Sequence, residues 1–286
     1  MQEKITIEAH AKINLTLDVT GKLPNGYHTV QMVMQCIGLC DKVTLAKTGS
    51  AQITMACDRA GLSAGEDNLA IRAARLFCAE TGLQSGGVEI FLEKHIPMQA
   101  GMAGGSADAA AVLLGMNTLF ETGCSIDALC AMGVKLGADV PYCIRGGTML
   151  AEGIGEVLSP LPFMPRCTVL ICKPPVGVPT PEVYRAIDAA PIGEHPDTQA
   201  MIDALRDRDL HRIGSLLCNV MEPVTAGRYP VITEIRETML QNGALGARMS
   251  GSGSAVFGLY ENPEDAEKAY RILSGRFEEV FLTETV

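Results

Sequence analysis

The stretch Pro97-Met98-Gln99-Ala100-Gly101-Met102-Ala103-Gly104-Gly105-Ser106-Ala107-Asp108 decides how this chain is read. It follows an apolar strand pattern, GVEIFLEKHI (87–96), and runs into an alanine-rich helical pattern reaching about Phe120. Three glycines within positions 101–105 let the backbone take positive φ and approach a ligand with no Cβ in the way. Ser106 is expected to cap the helix, whose first N–H groups and positive dipole end suit a phosphate. Alanines at 107, 109, 110 and 111 keep the first turn narrow. Strand, loop and helix start together predict a phosphate cradle. The competing account is a glycine loop that only turns a strand into a closely packed helix. Neither Gly-x-x-x-x-Gly-Lys-Ser/Thr nor Gly-x-Gly-x-x-Gly occurs, so the loop is neither a Walker loop nor a dinucleotide fingerprint.

Upstream, ITIEAHAKINLTLDV (5–19), VQMVMQCI (30–37) and DKVTLAKT (41–48) alternate apolar and polar residues. This predicts an antiparallel β-rich start, with Pro24, Asn25 and Gly26 supplying a turn. On the first strand Lys12 and Asn14 share one face. Asn68 is placed to cap a helix over 69–81 that Gly82 ends. Downstream, a helix is expected from Ser125 to Leu136, then a strand or hairpin over 147–162 whose prolines mark a boundary near Pro160 to Pro165. The expected domains are therefore 1–160 and 161–286. The second begins with strand CTVLICKPP (167–175), followed by helical patterns over 180–190, 198–207 and 230–244, the last closed by Gly243. Strand 247–251, a glycine–serine turn, strand 254–260, helix 263–277 and strand 279–284 read as half of an α/β plait.

With 286 residues, 47% apolar and 20% charged, the chain can build a sizeable core. A net charge of −10 and the absence of tryptophan argue against a nucleic-acid partner. The start of the chain lacks a signal-peptide pattern, and no run approaches the roughly 18 apolar residues of a membrane span. Ten scattered cysteines without a Cys-x-x-Cys read as reduced thiols, so the expected location is the cytoplasm. A structural zinc site is the sharper alternative, but the histidines at 10, 28, 95, 195 and 211 do not cluster with the cysteines in sequence.

Ala11-Lys-Ile-Asn-Leu15, the stretch 97–108 and Met249-Ser-Gly-Ser-Gly-Ser254 resemble, in order, the three motifs of the GHMP kinase superfamily, which includes galactokinases, homoserine kinases and mevalonate kinases. Gly26-Tyr27-His28, Gly137-Ala-Asp-Val-Pro141, Gly153-Ile-Gly-Glu156 and Pro179-Thr-Pro-Glu-Val-Tyr184 are similar to one branch of it. The resemblance implies an α+β fold: a β-rich N-terminal ATP-binding domain with a left-handed β-α-β unit, and a C-terminal ferredoxin-like α/β-plait domain. It implies ATP- and Mg2+-dependent phosphorylation of a hydroxyl on a cytidine-diphosphate-linked methylerythritol. Lys12 and Asp139 would be the catalytic pair, with residues 97–107 and Lys94 on ATP. Asn14, Tyr27, His28, Thr180, Tyr184, Gly251 and Gly253 would contact the acceptor, and Ser106 a phosphate or the metal. Small molecules would be the only ligands, with no membrane or nucleic acid, and the protein a monomer or weak homodimer. Met102 stands where leucine is usual, and Ala107 where a second serine is common, which removes one possible hydroxyl contact. On the residues alone, Lys12 and Asp139 also fit a structural salt bridge or an exposed Lys12, Tyr27 and Tyr184 fit ordinary packing, and Thr180 fits a helix cap. A homoserine- or mevalonate-type kinase, and a catalytically inactive ligand-binding protein of this fold, are the alternatives.

Overall fold

Alternating apolar residues on either side of the Pro24-Asn25-Gly26 turn build two long strands, β1 (Lys4–Lys22) and β2 (His28–Lys47). Gly26 takes φ 88° in that turn. The two patterns expected at 30–37 and 41–48 are one continuous strand, because Gly38 to Cys40 stay extended between them. The computed structural model describes residues 3–83, 87–189 and 192–286. By Cα proximity the chain divides into two units interleaved in sequence. One comprises Met1–Ala11, Cys40–Ile96 and Ala103–Gly146; the other comprises Lys12–Leu39, Pro97–Met102 and Gly147–Val286.

In the first unit, β3 (Ile53–Cys57), α1 (Leu69–Thr81) and β4 (Val88–Glu93) form a β-α-β unit with β3 and β4 parallel, Ile53 opposite Val88. Antiparallel pairing of β4 with β2, Lys42 opposite Glu93, gives the strand order β3-β4-β2-β1. Asn68 caps α1 by accepting from the Ala70 N–H, and Gly82 ends it at φ 68°. Helix α2 (Gly104–Leu119) packs against α1, α3 (Ile126–Val134) and α4 (Val140–Arg145). Its alanines are buried on nearly every side, so its amphipathic signal is weak. Ser106 does not cap α2. The helix begins three residues earlier than that cap implies, at Gly104 after Ala103 at φ 59°, and no side chain caps it.

In the second unit, β5 (Thr148–Glu152) pairs with β2 and with β6 (Val157–Pro160), as the hairpin pattern predicts. A separate four-stranded sheet is antiparallel, with order β11-β7-β10-β9 once β7 (Thr168–Lys173), β9 (Gly246–Met249), β10 (Val256–Tyr260) and β11 (Glu279–Glu284) are placed. Its first and third strands lie in the middle, the arrangement of an α/β plait. Three expected helices are present as α5 (Thr180–Ala189), α6 (Thr198–Asp207) and α9 (Val231–Gln241), and α10 (Pro263–Ser274) follows β10. Residue 190, the last of the α5 pattern, lies outside the described residues.

Four short elements carry too few residues for a periodic signal: α4, α7 (Leu210–Ser215), β8 (Cys218–Asn219) and α8 (Glu222–Arg228). Two of them matter for the site. Helix α4 presents Asp139 at its start, and β8 pairs parallel to β1, with Thr16 opposite Cys218.

Helix α7 crosses the start of β9 at backbone contact, and two glycines allow it. A Cβ on Gly246 would stand 2.1 Å from the Gly214 carbonyl oxygen. Gly246→Ala is therefore expected to destabilise the protein by about 1–3 kcal/mol, the usual cost of forcing atoms into a full interior. A thermal melt matching the wild type would show that the crossing yields without cost.

Candidate active site

Three stretches far apart in sequence meet around one buried turn of the second unit. Ser250, Ser252 and Ser254 in the β9–β10 turn are each 7% exposed or less, so its backbone groups need protein partners. Asn14 supplies one: its Oδ1 accepts from Gly251 N at 3.0 Å and from Lys12 Nζ at 2.7 Å. The glycine-rich stretch supplies more. Ala255 N donates to Ala100 O at 3.2 Å, and Ser250 Oγ donates to Gly101 O at 3.0 Å. A Cβ on Gly101, at φ 73°, would stand 2.0 Å from Ser250 O, so no other residue fits there without displacing backbone. Lys12 N also donates to Met102 O at 3.2 Å. The sequence shows the glycines of this turn; it gives no sign that the turn is internal.

Residues that sequence reasoning missed complete the turn. Asn219, in β1's short partner β8, donates to Met249 O at 2.7 Å and Gly251 O at 2.8 Å. Glu222, itself buried, accepts from Met249 N at 2.7 Å and pairs with Arg236 at 2.6 Å. Thr180 and Ser252 share a hydroxyl hydrogen bond of 2.8 Å, which places Thr180 beside Gly251 and Gly253. Lone polar residues in short elements carry no pattern that would have singled out Asn219 or Glu222.

Lys12 is 4% exposed, and among the described residues its ammonium has no carboxylate within ion-pairing distance. A buried cation held by one neutral oxygen is poised for an anion. Asn14 is fully buried and its amide is taken up by protein, with Nδ2 directed at Met32 Sδ at 3.4 Å.

Gly26-Tyr27-His28 and α5 also come together. The His28 ring stacks on Tyr184, centroids 4.5 Å apart and planes 12° from parallel, and His28 Nε2 lies 2.7 Å from Asp188 Oδ1. Asp188 also binds Lys22 at 2.5 Å, and hydrogen bonds from His28 and then Lys22 hold its carboxyl below the usual range. Tyr27 is 61% exposed and leaves a ring face open to solvent. Asp188 follows Tyr184 by one helical turn, an i, i+4 relation that could have flagged it.

In the first unit the start of α2 is bare. Ala107 N donates to Ala103 O, but among the described residues the N–H groups of Gly104, Gly105 and Ser106 have no partner. These are the free donors that bind anions at helix starts. Ser106 Oγ makes no hydrogen bond among the described residues and lies 3.9 Å from where a Gly137 Cβ would be. Asp139 is half-buried at the start of α4, and its carboxylate caps nothing. Lys94, by contrast, is engaged: its ammonium binds Asp41 and, at 2.6 Å, Asp108.

Residues 68–147 match the GHMP kinases N-terminal domain model, and residues 201–279 match the GHMP kinases C-terminal model. The 4-diphosphocytidyl-2-C-methyl-D-erythritol kinase of Lachnoclostridium phytofermentans is 50% identical over 266 residues, covering 93% of this chain and 91% of that protein. The protein of the same name from Acetivibrio thermocellus is 45% identical over 99% of this chain and 100% of its own length. This chain belongs to the 4-diphosphocytidyl-2-C-methyl-D-erythritol kinase family of GHMP kinases. A crystal structure of 4-(cytidine 5'-diphospho)-2C-methyl-D-erythritol kinase superimposes with a TM-score of 0.84 at 35% identity, covering 98% of this chain and 99% of that one. Homoserine kinase from Cytophaga hutchinsonii shares the fold, with a TM-score of 0.79 at 20% identity over 100% of this chain and 95% of its own. Membership of a kinase family implies ATP as phosphoryl donor.

The buried acids give a pH prediction. Burial, reinforced by Asp41 and opposed by Lys94, pushes the Asp108 carboxyl from 3.8 up to about 7. Burial alone would pull the Lys94 ammonium down, but the two carboxylates raise it overall. A carboxyl raised in the folded state binds its proton more tightly there than in the unfolded chain. Its stabilisation is full below the ordinary carboxylate range and is lost as pH rises through the folded value. Between about pH 5 and about pH 8, wild type should therefore lose stability relative to Asp108→Asn. A stability difference that stays flat across that window, measured by urea unfolding, rejects the assignment.

Proposed function

We propose that this protein phosphorylates the 2-hydroxyl of 4-diphosphocytidyl-2-C-methyl-D-erythritol with ATP, giving the 2-phosphate and ADP, a step of non-mevalonate isoprenoid synthesis. The observation that carries the chemistry is the buried Lys12 ammonium beside the Gly251 turn, with no counter-charge among the described residues. The acceptor is the one named in the full-length relatives.

An alcohol attacks phosphorus well only as its proton leaves, and phosphoryl transfer otherwise depends on positioning and charge stabilisation. Asp139, whose carboxylate caps nothing at the start of α4, is the proposed base that takes the hydroxyl proton. Lys12 neutralises charge developing on the group in transfer. The free N–H groups of Gly104, Gly105 and Ser106 hold the donor phosphates, with residues 97–103 and Ala107 shaping the cradle. Tyr27, His28 and Tyr184 are the proposed cytidine contacts, the aromatic faces stacking on the base and His28 bonding its polar edge. Thr180, Gly251 and Gly253 face the rest of the acceptor. Asn14 serves it through its hold on Lys12 and Gly251.

Among the described residues no group of three or more His, Cys, Asp or Glu could cage a metal. Magnesium needs no such cage when phosphate oxygens and water complete its shell. The unengaged Ser106 hydroxyl fits it from the α2 side, and the ion would offset phosphate charge. Among the described residues no helix is long and apolar enough to cross a membrane. We propose a cytoplasmic location and a monomer or weak homodimer, with 1–160 as the ATP-binding domain and 161–286 as its partner.

Purified protein with Mg-ATP and 4-diphosphocytidyl-2-C-methyl-D-erythritol should release ADP in step with acceptor consumption, and homoserine or mevalonate should not replace that acceptor. Absence of acceptor-dependent ADP would sink the substrate assignment. Asp139→Asn is expected to lower kcat by about 10²–10⁴-fold with ATP affinity retained, the usual worth of a general base. Near-normal turnover in that variant would remove Asp139 from the role.

A further inference from the structure

The glycine-rich stretch carries left-handed φ at every second residue: 52° at Gln99, 73° at Gly101 and 59° at Ala103. Gln99 and Ala103 have a Cβ and do not choose this conformation unaided, so the surroundings must impose it. Both flanks of the stretch are tied to one buried ionic group. On the entry side, Asp41 in β2 accepts from His95 N at 2.6 Å and Ile96 N at 2.8 Å through Oδ1. Its Oδ2 binds the Lys94 ammonium. On the exit side, the same ammonium binds Oδ2 of Asp108 in α2 at 2.6 Å. All three side chains are 5% exposed or less.

The group is costly as mere packing. Two carboxyl groups share one cation, and Asp108 Oδ1 is buried with no hydrogen-bond partner among the described residues. What the arrangement achieves is geometric. Lys94 Nζ would lie 3.7 Å from a Cβ at Gly104, directly under the first turn of α2. One ammonium therefore fixes where the chain enters the stretch and where the helix that ends it begins.

We infer that Asp41, Lys94 and Asp108 form a clamp that presets the glycine-rich stretch for the nucleotide, acting as positioning residues that need not touch it. The clamp rests on the reading of this stretch as the phosphate cradle. It assigns a donor-side role to two acids that the sequence motifs left without one. It also moves Lys94 from an expected nucleotide ligand to the support of those that bind.

The test compares Lys94→Met and Asp108→Ala, which break the clamp, with Asp108→Asn, which keeps an oxygen for Lys94. Thermal melts identify the variants that fold. Asp108→Ala leaves Lys94 its Asp41 partner, so it carries the test if Lys94→Met does not fold. ATP dissociation constants are read by calorimetry, and KM for ATP, KM for the acceptor and kcat by ADP release. The broken clamps should weaken ATP binding roughly tenfold or more, in line with small displacements of positioning groups. The acceptor KM should hold within about twofold, and Asp108→Asn should recover most of the ATP affinity. Unchanged ATP affinity in a folded clamp-breaking variant would overturn the inference. So would equal losses for ATP and acceptor, which is the mark of general damage. A wild type that binds ATP without phosphorylating the cytidine-linked acceptor would refute the proposed substrate, while the clamp would still be read from ATP binding.

Discussion

The carbonyl of Ser250 sits against the Cα of Gly101, so close that a Cβ there would stand at 2.0 Å. Two backbone turns in contact cannot both be solvated, and their polar groups must be satisfied by protein. Much of the local sequence is explained by that demand. Asn14 and Asn219 each bind the turn through side-chain amides, Glu222 takes the Met249 N–H, and Ser254 donates to Val176 O at 2.6 Å. Side chains that look unremarkable one by one are the hydrogen-bonding lining of a buried loop.

Charge follows a similar logic. The chain carries −10 overall, yet its proposed task is to hold polyphosphates. The proposed means are local donors: among the described residues, N–H groups at the start of α2 without a partner, and a buried Lys12 ammonium without a carboxylate. Local fields at short range in a sheltered site outweigh a diffuse negative surface that salt screens. The second buried ammonium, at Lys94, is saturated by acids. Two lysines of similar burial thus have opposite availability, and only their neighbours distinguish them.

Much of the fold was legible in the sequence. Period-two alternation gave the strands, Asn68 and Gly82 bounded α1, and the strand–turn–strand–helix–strand order at the end gave the plait. The errors are local. Ser106 looks like a cap because serine before alanines usually is one, but Ala103 in a left-handed conformation starts the helix earlier. Elements such as β8 and α4 are shorter than a hydrophobic period can reveal. In the site, the glycine and serine motifs were visible because they are contiguous. Asp41, Asn219 and Glu222 were not, since each acts through a partner distant in sequence.

The interleaving of the two units has a consequence for how the protein can be divided or inherited. Strands β1 and β2 give their residues to both units, and Pro97–Met102 belongs with the later part of the chain. A piece covering only 161–286 would lack Asn14, Ala100 and Gly101, which satisfy the β9–β10 turn, and Thr16, which faces β8. A cut near 160 would therefore separate that turn from the groups that satisfy it. Exchange of the later segment between relatives must carry matching partners from the earlier one, which favours diversity by substitution over exchange of modules.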